Sequence, residues 1–173
     1  IVKVTGKNFL TCWIWKKYKI SIPMLYRVAN VNVRRGNGST PLVESVFNKD
    51  IGVFPLLLER GADIHARDRD GATPLMIVAL YGKDLLNQLR MLIDAGADVN
   101  ARADDGRTAL IYLCMTSLIH PQPAQAVGLL LDSGADPSIV DDSGRTALEY
   151  ARRNRGLMND PVIERLESAR VGI

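Results

Sequence analysis

Histidine and cysteine are almost absent, at two residues each in a chain of 173. His65 and His120 have no sequence neighbour that would complete a metal pair, and no Cys or His spacing matches a zinc site. A nucleophile elbow, a phosphate-cradling glycine loop and an HExxH motif are also missing. Asp68-Arg69-Asp70 and Asp104-Asp105 lack the ligand spacing of a calcium loop and read as turn formers. No catalytic residue, metal or cofactor is therefore expected. Cys12 and Cys114 lie far apart in unlike contexts; Cys114 reads as a small core residue, and two thiols do not identify a compartment. Aromatics are scarce, at 6%, which suits helices packed with Leu and Ala, while 47% hydrophobic residues suffice for one domain's core. The apolar run from Phe9 to Trp15 is far shorter than the roughly 20 residues that span a bilayer, and too short and aromatic for a signal-peptide core. The chain begins at Ile1 rather than Met, so an upstream piece is expected.

What the sequence does contain is self-similarity. Gly38-Ser39-Thr40-Pro41-Leu42 returns as Gly71-Ala72-Thr73-Pro74-Leu75, Gly106-Arg107-Thr108-Ala109-Leu110 and Gly144-Arg145-Thr146-Ala147-Leu148. A second phrase, Gly61-Ala62-Asp63-Ile64-His65, returns as Gly96-Ala97-Asp98-Val99-Asn100 and Gly134-Ala135-Asp136-Pro137-Ser138. A period in the thirties signals a solenoid of stacked units. Within one unit, Thr caps a helix whose first residue is Pro, because Pro at that place loses no hydrogen bond. Leu75, Val78 and Ala79 then predict one apolar face. Leu85, Leu86, Leu89, Leu92 and Ile93 predict a second helix, closed at Gly96. No unit buries both helices alone, so stability must come from its neighbours.

This spelling resembles the ankyrin repeat, with its D-x-x-G-x-T-P-L-H turn, alanine-rich helix and L-L-x-x-G-A-D-x-N ending, over roughly Val28 to Val171. The family histidine is replaced by Val43, Met76, Ile111 and Glu149, and the proline by Ala109 and Ala147, so looser turns are expected. The resemblance implies an all-α helical solenoid with hairpin turns between helix pairs. Its divisions are a half-repeat over 20–34 and repeats over 35–67, 68–102, 103–140 and 141–173. The first repeat's second helix should start late or kink, because it contains Gly52 and Pro55. The third carries extra residues from Leu118 to Pro123, expected to protrude as a loop. The fourth offers Arg152, Arg153 and Arg155 as solvated residues of a terminal lid, with a helix start at Asp160-Pro161. Its ALEYARR run reads as bacterial in spelling, which would put the protein in a cytoplasm or periplasm.

Charge is unevenly placed. Residues 1–35 hold eight cations and no acid, which leaves fourteen cations against nineteen acids, a net of −5, in the rest. The extension over 1–19 has the composition of a short β-hairpin followed by a cluster of aromatics and lysines, Trp13 to Lys19. It reads either as a lid over the first repeat, with Ser21 capping a short helix near 22–28, or as a contact with nucleic acid or an anionic membrane.

In the family this chain resembles, partners lie across the hairpin tips and first helices on the concave side. The matching positions are Arg67, Arg69, Asp70, Arg102, Asp104, Asp105, Arg107 and Arg145 on the tips, and Phe47, Leu80, Tyr81 and Met115 on the first helices. Arg34, Arg67 and Arg102 share one register and should form a ladder, while the apolar four should be exposed. The expected function is a non-catalytic module, monomeric on its own, that binds a protein partner. The alternative is a targeting module that works through its basic arm.

Overall fold

The computed structural model describes residues 30–47, 52–116 and 122–171. The N-terminal extension, the helix expected near 22–28 and residues 118–121 of the insertion lie outside them. Among the described residues there are eight helices and no strand. They form four pairs: α1 (Pro41–Val46) and α2 (Val53–Glu59), α3 (Pro74–Tyr81) and α4 (Leu85–Asp94), α5 (Ala109–Thr116) and α6 (Pro123–Asp132), and α7 (Ala147–Arg153) and α8 (Val162–Val171). The first helices stack α1 on α3 on α5 on α7, and α4, α6 and α8 make a second layer behind them. The result is an all-α solenoid.

The helix starts follow from the repeated Thr. Thr40, Thr73 and Thr108 accept from the backbone N–H three residues on, at 3.4 to 3.5 Å. Pro41 and Pro74 open α1 and α3. Two departures from the family turn are compensated locally. Met76 Sδ accepts from Thr73 N at 3.4 Å, and the Glu149 carboxylate accepts from Thr146 N at 2.8 Å. The turns above α3 and α7 thus regain one of the bonds that loss of the histidine was expected to remove. Val43 and Ile111 have no side-chain acceptor to do the same. α2 does start late: Gly52 is its N-cap and Pro55 lies in its first turn, where a missing N–H costs no helical bond. Pro123, at the end of the insertion, opens α6.

Burial separates the two layers. In α3 every residue from Pro74 to Ala79 is buried, not merely the face predicted from its spacing. A first helix is flanked by a first helix on each side and by its own second helix, so a single stripe cannot satisfy it. The second helix α4 keeps the predicted pattern: Leu85, Leu89 and Leu92 are buried, and Leu86 and Ile93 are half-buried at the rim. Cys114 is fully buried in α5, and burial pushes its thiol up to about 12.

At the end of α4 the chain turns through Gly96 (φ 91°), and Ala97 N donates to Leu92 O at 2.9 Å. The hairpins that follow hydrogen-bond to one another: Arg69 N to Asn37 O at 3.2 Å, Asp104 N to Asp70 O at 3.0 Å, and Asp142 N to Asp105 O at 3.0 Å. At Gly71 (φ 72°) an added Cβ would lie 2.9 Å from Asp104 N, so the tips stack too closely for a side chain there.

Candidate protein-binding surface

The apolar positions come first, because water makes their exposure costly. Phe47 is the C-cap of α1, Tyr81 ends α3 and Met115 lies one residue before the end of α5. They are 47%, 48% and 36% exposed. The rings of Phe47 and Tyr81 touch, with centroids 5.3 Å apart and planes tilted by 45°. Lys83 Nζ, in the link between α3 and α4, donates to Phe47 O at 3.0 Å and ties that link to the end of α1. Leu80 differs from expectation. It is half-buried against the core, because one step along a helix is about 100° of rotation and Tyr81 takes the outward direction. In the fourth pair Arg153, at the register of Phe47 and Met115, is exposed, whereas Asn154, at the register of Tyr81, is buried and donates to Cys114 O at 2.7 Å.

The arginine ladder exists, and its guanidinium groups bind the molecule itself. Arg34 Nη1 donates to Arg67 O at 3.0 Å, Arg67 Nη1 to Arg102 O at 2.7 Å, and Arg102 Nη2 to Val140 O at 3.0 Å. Each exposed arginine therefore staples its unit to the next through a backbone carbonyl. A parallel set of clamps comes from asparagine. Asn32 donates to Gly61 O and accepts from Asp63 N at 2.7 Å; Asn100 donates to Gly134 O and accepts from Asp136 N at 2.8 Å. His65 holds the same register and, among the described residues, makes neither bond.

A polar network that sequence reading missed joins the last two hairpins. Asp141, whose side chain is only 1% exposed, accepts from Tyr150 Oη at 2.5 Å, Arg107 Nε at 3.3 Å and the N–H groups of Ser143 and Arg145. Burial, the largest influence, pushes its carboxyl up, yet these donors outweigh it and the group titrates below its ordinary value. Arg107 also pairs with Asp105 at 2.8 Å, and Tyr112 Oη donates to Asp105 at 3.1 Å. Burial and the Asp105 charge push the Tyr112 phenol up to about 12. Asp105 and Arg107 are half-buried members of this network, while Arg69, Asp70, Asp104 and Arg145 project as exposed tips. Arg145 lies over the Tyr150 ring, 5.9 Å from its centroid.

On the opposite layer an open cleft of about 1230 Å³ runs between α4, α6 and α8. Arg165 crosses it to Asp132 at 2.6 Å. Among the described residues no group of acidic, histidine or cysteine side chains is arranged to hold a metal, and no helix is long and apolar enough to cross a membrane.

Stacked turn–helix–helix units with a stapled spine and one open flank define a repeat protein of the scaffold class. A family model described as Ankyrin repeats (3 copies) matches residues 12–103, 42–141 and 75–166, and the chain belongs to the ankyrin repeat family. Ankyrin repeats generally act as non-catalytic scaffolds for protein–protein interaction. Protein fem-1 homolog A of Danio rerio is 41% identical over 71 residues, which is 34% of this chain and 12% of that protein. Ankyrin repeat-containing protein P1E11.10 of Schizosaccharomyces pombe is 39% identical over 59 residues, 33% of this chain and 28% of that protein. The chain thus corresponds to a minor part of each relative. Both are eukaryotic, so the bacterial reading of the last repeat's spelling has no support from them.

Proposed function

We propose that this chain is a non-catalytic module that binds a protein partner across its hairpin tips and the ends of its first helices. The observation that carries the reading is the row of Phe47, Tyr81 and Met115: three large apolar side chains, each more than a third exposed, at the C-terminal ends of the first helices of three successive pairs. Apolar centres with charged rims are the usual composition of an interface. The rim here is Arg67, Arg69, Asp70, Arg102, Asp104, Asp105, Arg107 and Arg145, with Leu80 at the floor. The scaffold beneath is held by arginine and asparagine clamps, so little ordering is needed on binding.

Capture of partners from a source-cell lysate, compared between the native chain and a Phe47→Ala/Tyr81→Ala variant, tests this. A captured protein should lose about 2 kcal/mol or more of affinity in the variant while the unfolding temperature stays close to native. Unchanged capture would remove the row from the interface.

One further observation, the eight cations and absent acids of residues 1–35, favours a second reading in which the arm contacts nucleic acid or an anionic membrane. Phosphate binding falls steeply with rising salt, whereas apolar contact does not. Deleting residues 1–19 should abolish salt-sensitive binding and leave the Tyr81-dependent interaction in place.

A further inference from the structure

Asn37 is the asparagine of this chain that precedes a glycine; every other asparagine is followed by a residue whose side chain shields the next backbone nitrogen. Gly38 leaves that nitrogen bare, and the fold requires the glycine. Its φ is 80°, and an added Cβ would lie 2.8 Å from Asp68 Cα in the next hairpin. Asn37 itself is exposed to water.

The four hairpins secure the N–H that follows their glycine in two ways. In the second and fourth, the aspartate that opens the turn accepts it: Asp68 from Ala72 N at 2.9 Å and Asp141 from Arg145 N at 3.1 Å. In the first and third that position holds Arg35 or Ala103, and the residue before the glycine accepts instead. Asn37 Oδ1 accepts from Ser39 N at 3.1 Å, and Asp105 Oδ1 from Arg107 N at 3.0 Å. The bond folds the Asn37 carboxamide back along the Gly38 peptide. It also sets a donor on Oδ1, the atom on which negative charge develops when the Gly38 nitrogen attacks Cγ. One contact opposes that attack: Gly38 N donates to Arg35 O at 2.8 Å, so the nitrogen is free only while this turn is open.

We propose that Asn37 is a site of spontaneous deamidation, which turns the first hairpin tip from an amide into a carboxylate. Gly38 N gives its proton to water and bonds to Cγ. The Cγ–Nδ2 bond then breaks, and Nδ2 takes a proton from water and leaves as ammonia. A second water opens the cyclic imide at either of its carbonyls. Opening at Cγ leaves an aspartate, and opening at the main-chain carbonyl leaves an isoaspartate.

The hairpin treats the two products differently. An aspartate at this position repeats the spelling of Asp70-Gly71 and Asp105-Gly106, and keeps both the acceptor for Ser39 N and the carbonyl for Arg69 N. An isoaspartate runs the chain through Cβ and Cγ. The carbonyl that accepts from Arg69 N at 3.2 Å becomes a free carboxylate, and the path closed by Arg35 N to Ser39 O at 2.9 Å gains an extra backbone atom. Either product adds negative charge near Arg69, whose guanidinium passes 3.9 Å from where a Cβ on Gly36 would stand.

Peptide mapping by mass spectrometry on the folded full chain, held in mildly alkaline buffer, tests this, with isoaspartate read by its specific enzymatic methylation. The Asn37 peptide should gain the mass of an amide-to-acid exchange at least about ten times faster than any other asparagine peptide, a small difference in barrier. Asn37→Ser, which copies Ser143-Gly144 of the fourth hairpin, should leave that peptide's mass constant. Asn37→Asp should unfold at the native temperature, whereas the isoaspartyl fraction, separated by ion exchange, should melt at least about 2–4 °C lower because its tip contact is lost. The inference is overturned if the Asn37 peptide keeps its mass or if another asparagine exchanges as fast. An isoaspartyl fraction as stable as Asn37→Asp overturns the account of the two products. Neither result bears on partner capture through Phe47 and Tyr81, which stands or falls by its own variant.

Discussion

Among the clamps between units, one register is imperfect. Asn32 and Asn100 each donate to the glycine carbonyl of the next unit and accept from its aspartate N–H, and His65 between them does neither. His65→Asn should restore both bonds toward Gly96 and Asp98. Two partly exposed hydrogen bonds contribute about 1 kcal/mol together, which for a chain of this size raises the melting temperature by about 2–4 °C, readable by thermal denaturation. Asp141 governs the acid side of stability. Its folded carboxyl titrates below the ordinary value near 3.9, so the unfolded chain binds the proton first and stability rises with pH through that window. The contribution is complete above about pH 4 and is lost as pH falls through the lowered folded value. Asp141→Asn should flatten the acid limb of a stability–pH curve and lower stability at neutral pH by about 1.5–3 kcal/mol, since charge-assisted bonds from Tyr150 and Arg107 go with it.

At the scale of elements, the hairpins and the first helices are built on different constraints. Gly71 and Gly144 share a turn and a left-handed conformation, with φ of 72° and 71°. Only Gly71 has the next hairpin above it; a Cβ at Gly144 would meet nothing within 4 Å. Gly144→Ala should therefore cost about 1 kcal/mol, the conformational share alone, and Gly71→Ala clearly more, because the tip of the following hairpin must move away. Urea titration of the two variants compares them directly. Equal losses would mean that tip stacking contributes nothing. The short α2 has a local cause as well, since Pro55 fits only the first turn of a helix, so the helix begins just ahead of it.

At the scale of the molecule, stability and the proposed binding face use different flanks of the same units. The first helices α1, α3 and α5 bury most of their side chains between neighbours, and the exposed residues they leave are at their ends, Phe47, Tyr81 and Met115, whereas the terminal α7 also exposes Glu149, Arg152 and Arg153. Because those ends lie outside the packed interior, the proposed binding should be removable without unfolding. Double replacement of Phe47 and Tyr81 should leave the unfolding midpoint in denaturant within about 1 kcal/mol of native while partner capture falls. A large drop in stability instead would show that the touching rings hold α1 to α3.

The period, the helix pairs and the turns were legible in the residues alone, because each is written in a short phrase with a local physical meaning. Thr-Pro starts a helix, and Gly-Ala-Asp ends one through a left-handed residue, whatever surrounds them. The surface was less legible. In Pro74-Leu75-Met76-Ile77-Val78-Ala79-Leu80-Tyr81 no polar face marks the exposed side, so only packing decided that Tyr81 faces water and Leu80 the core. The register of Arg34, Arg67 and Arg102 was visible, but their acceptors are backbone carbonyls, which carry no residue signature. The Tyr150–Asp141–Arg107 contacts reach across units and exist only once the hairpins are stacked. Local hydrogen bonding and side-chain shape wrote the units; the contacts between units, set by how closely the backbones approach, selected which side chains remain exposed.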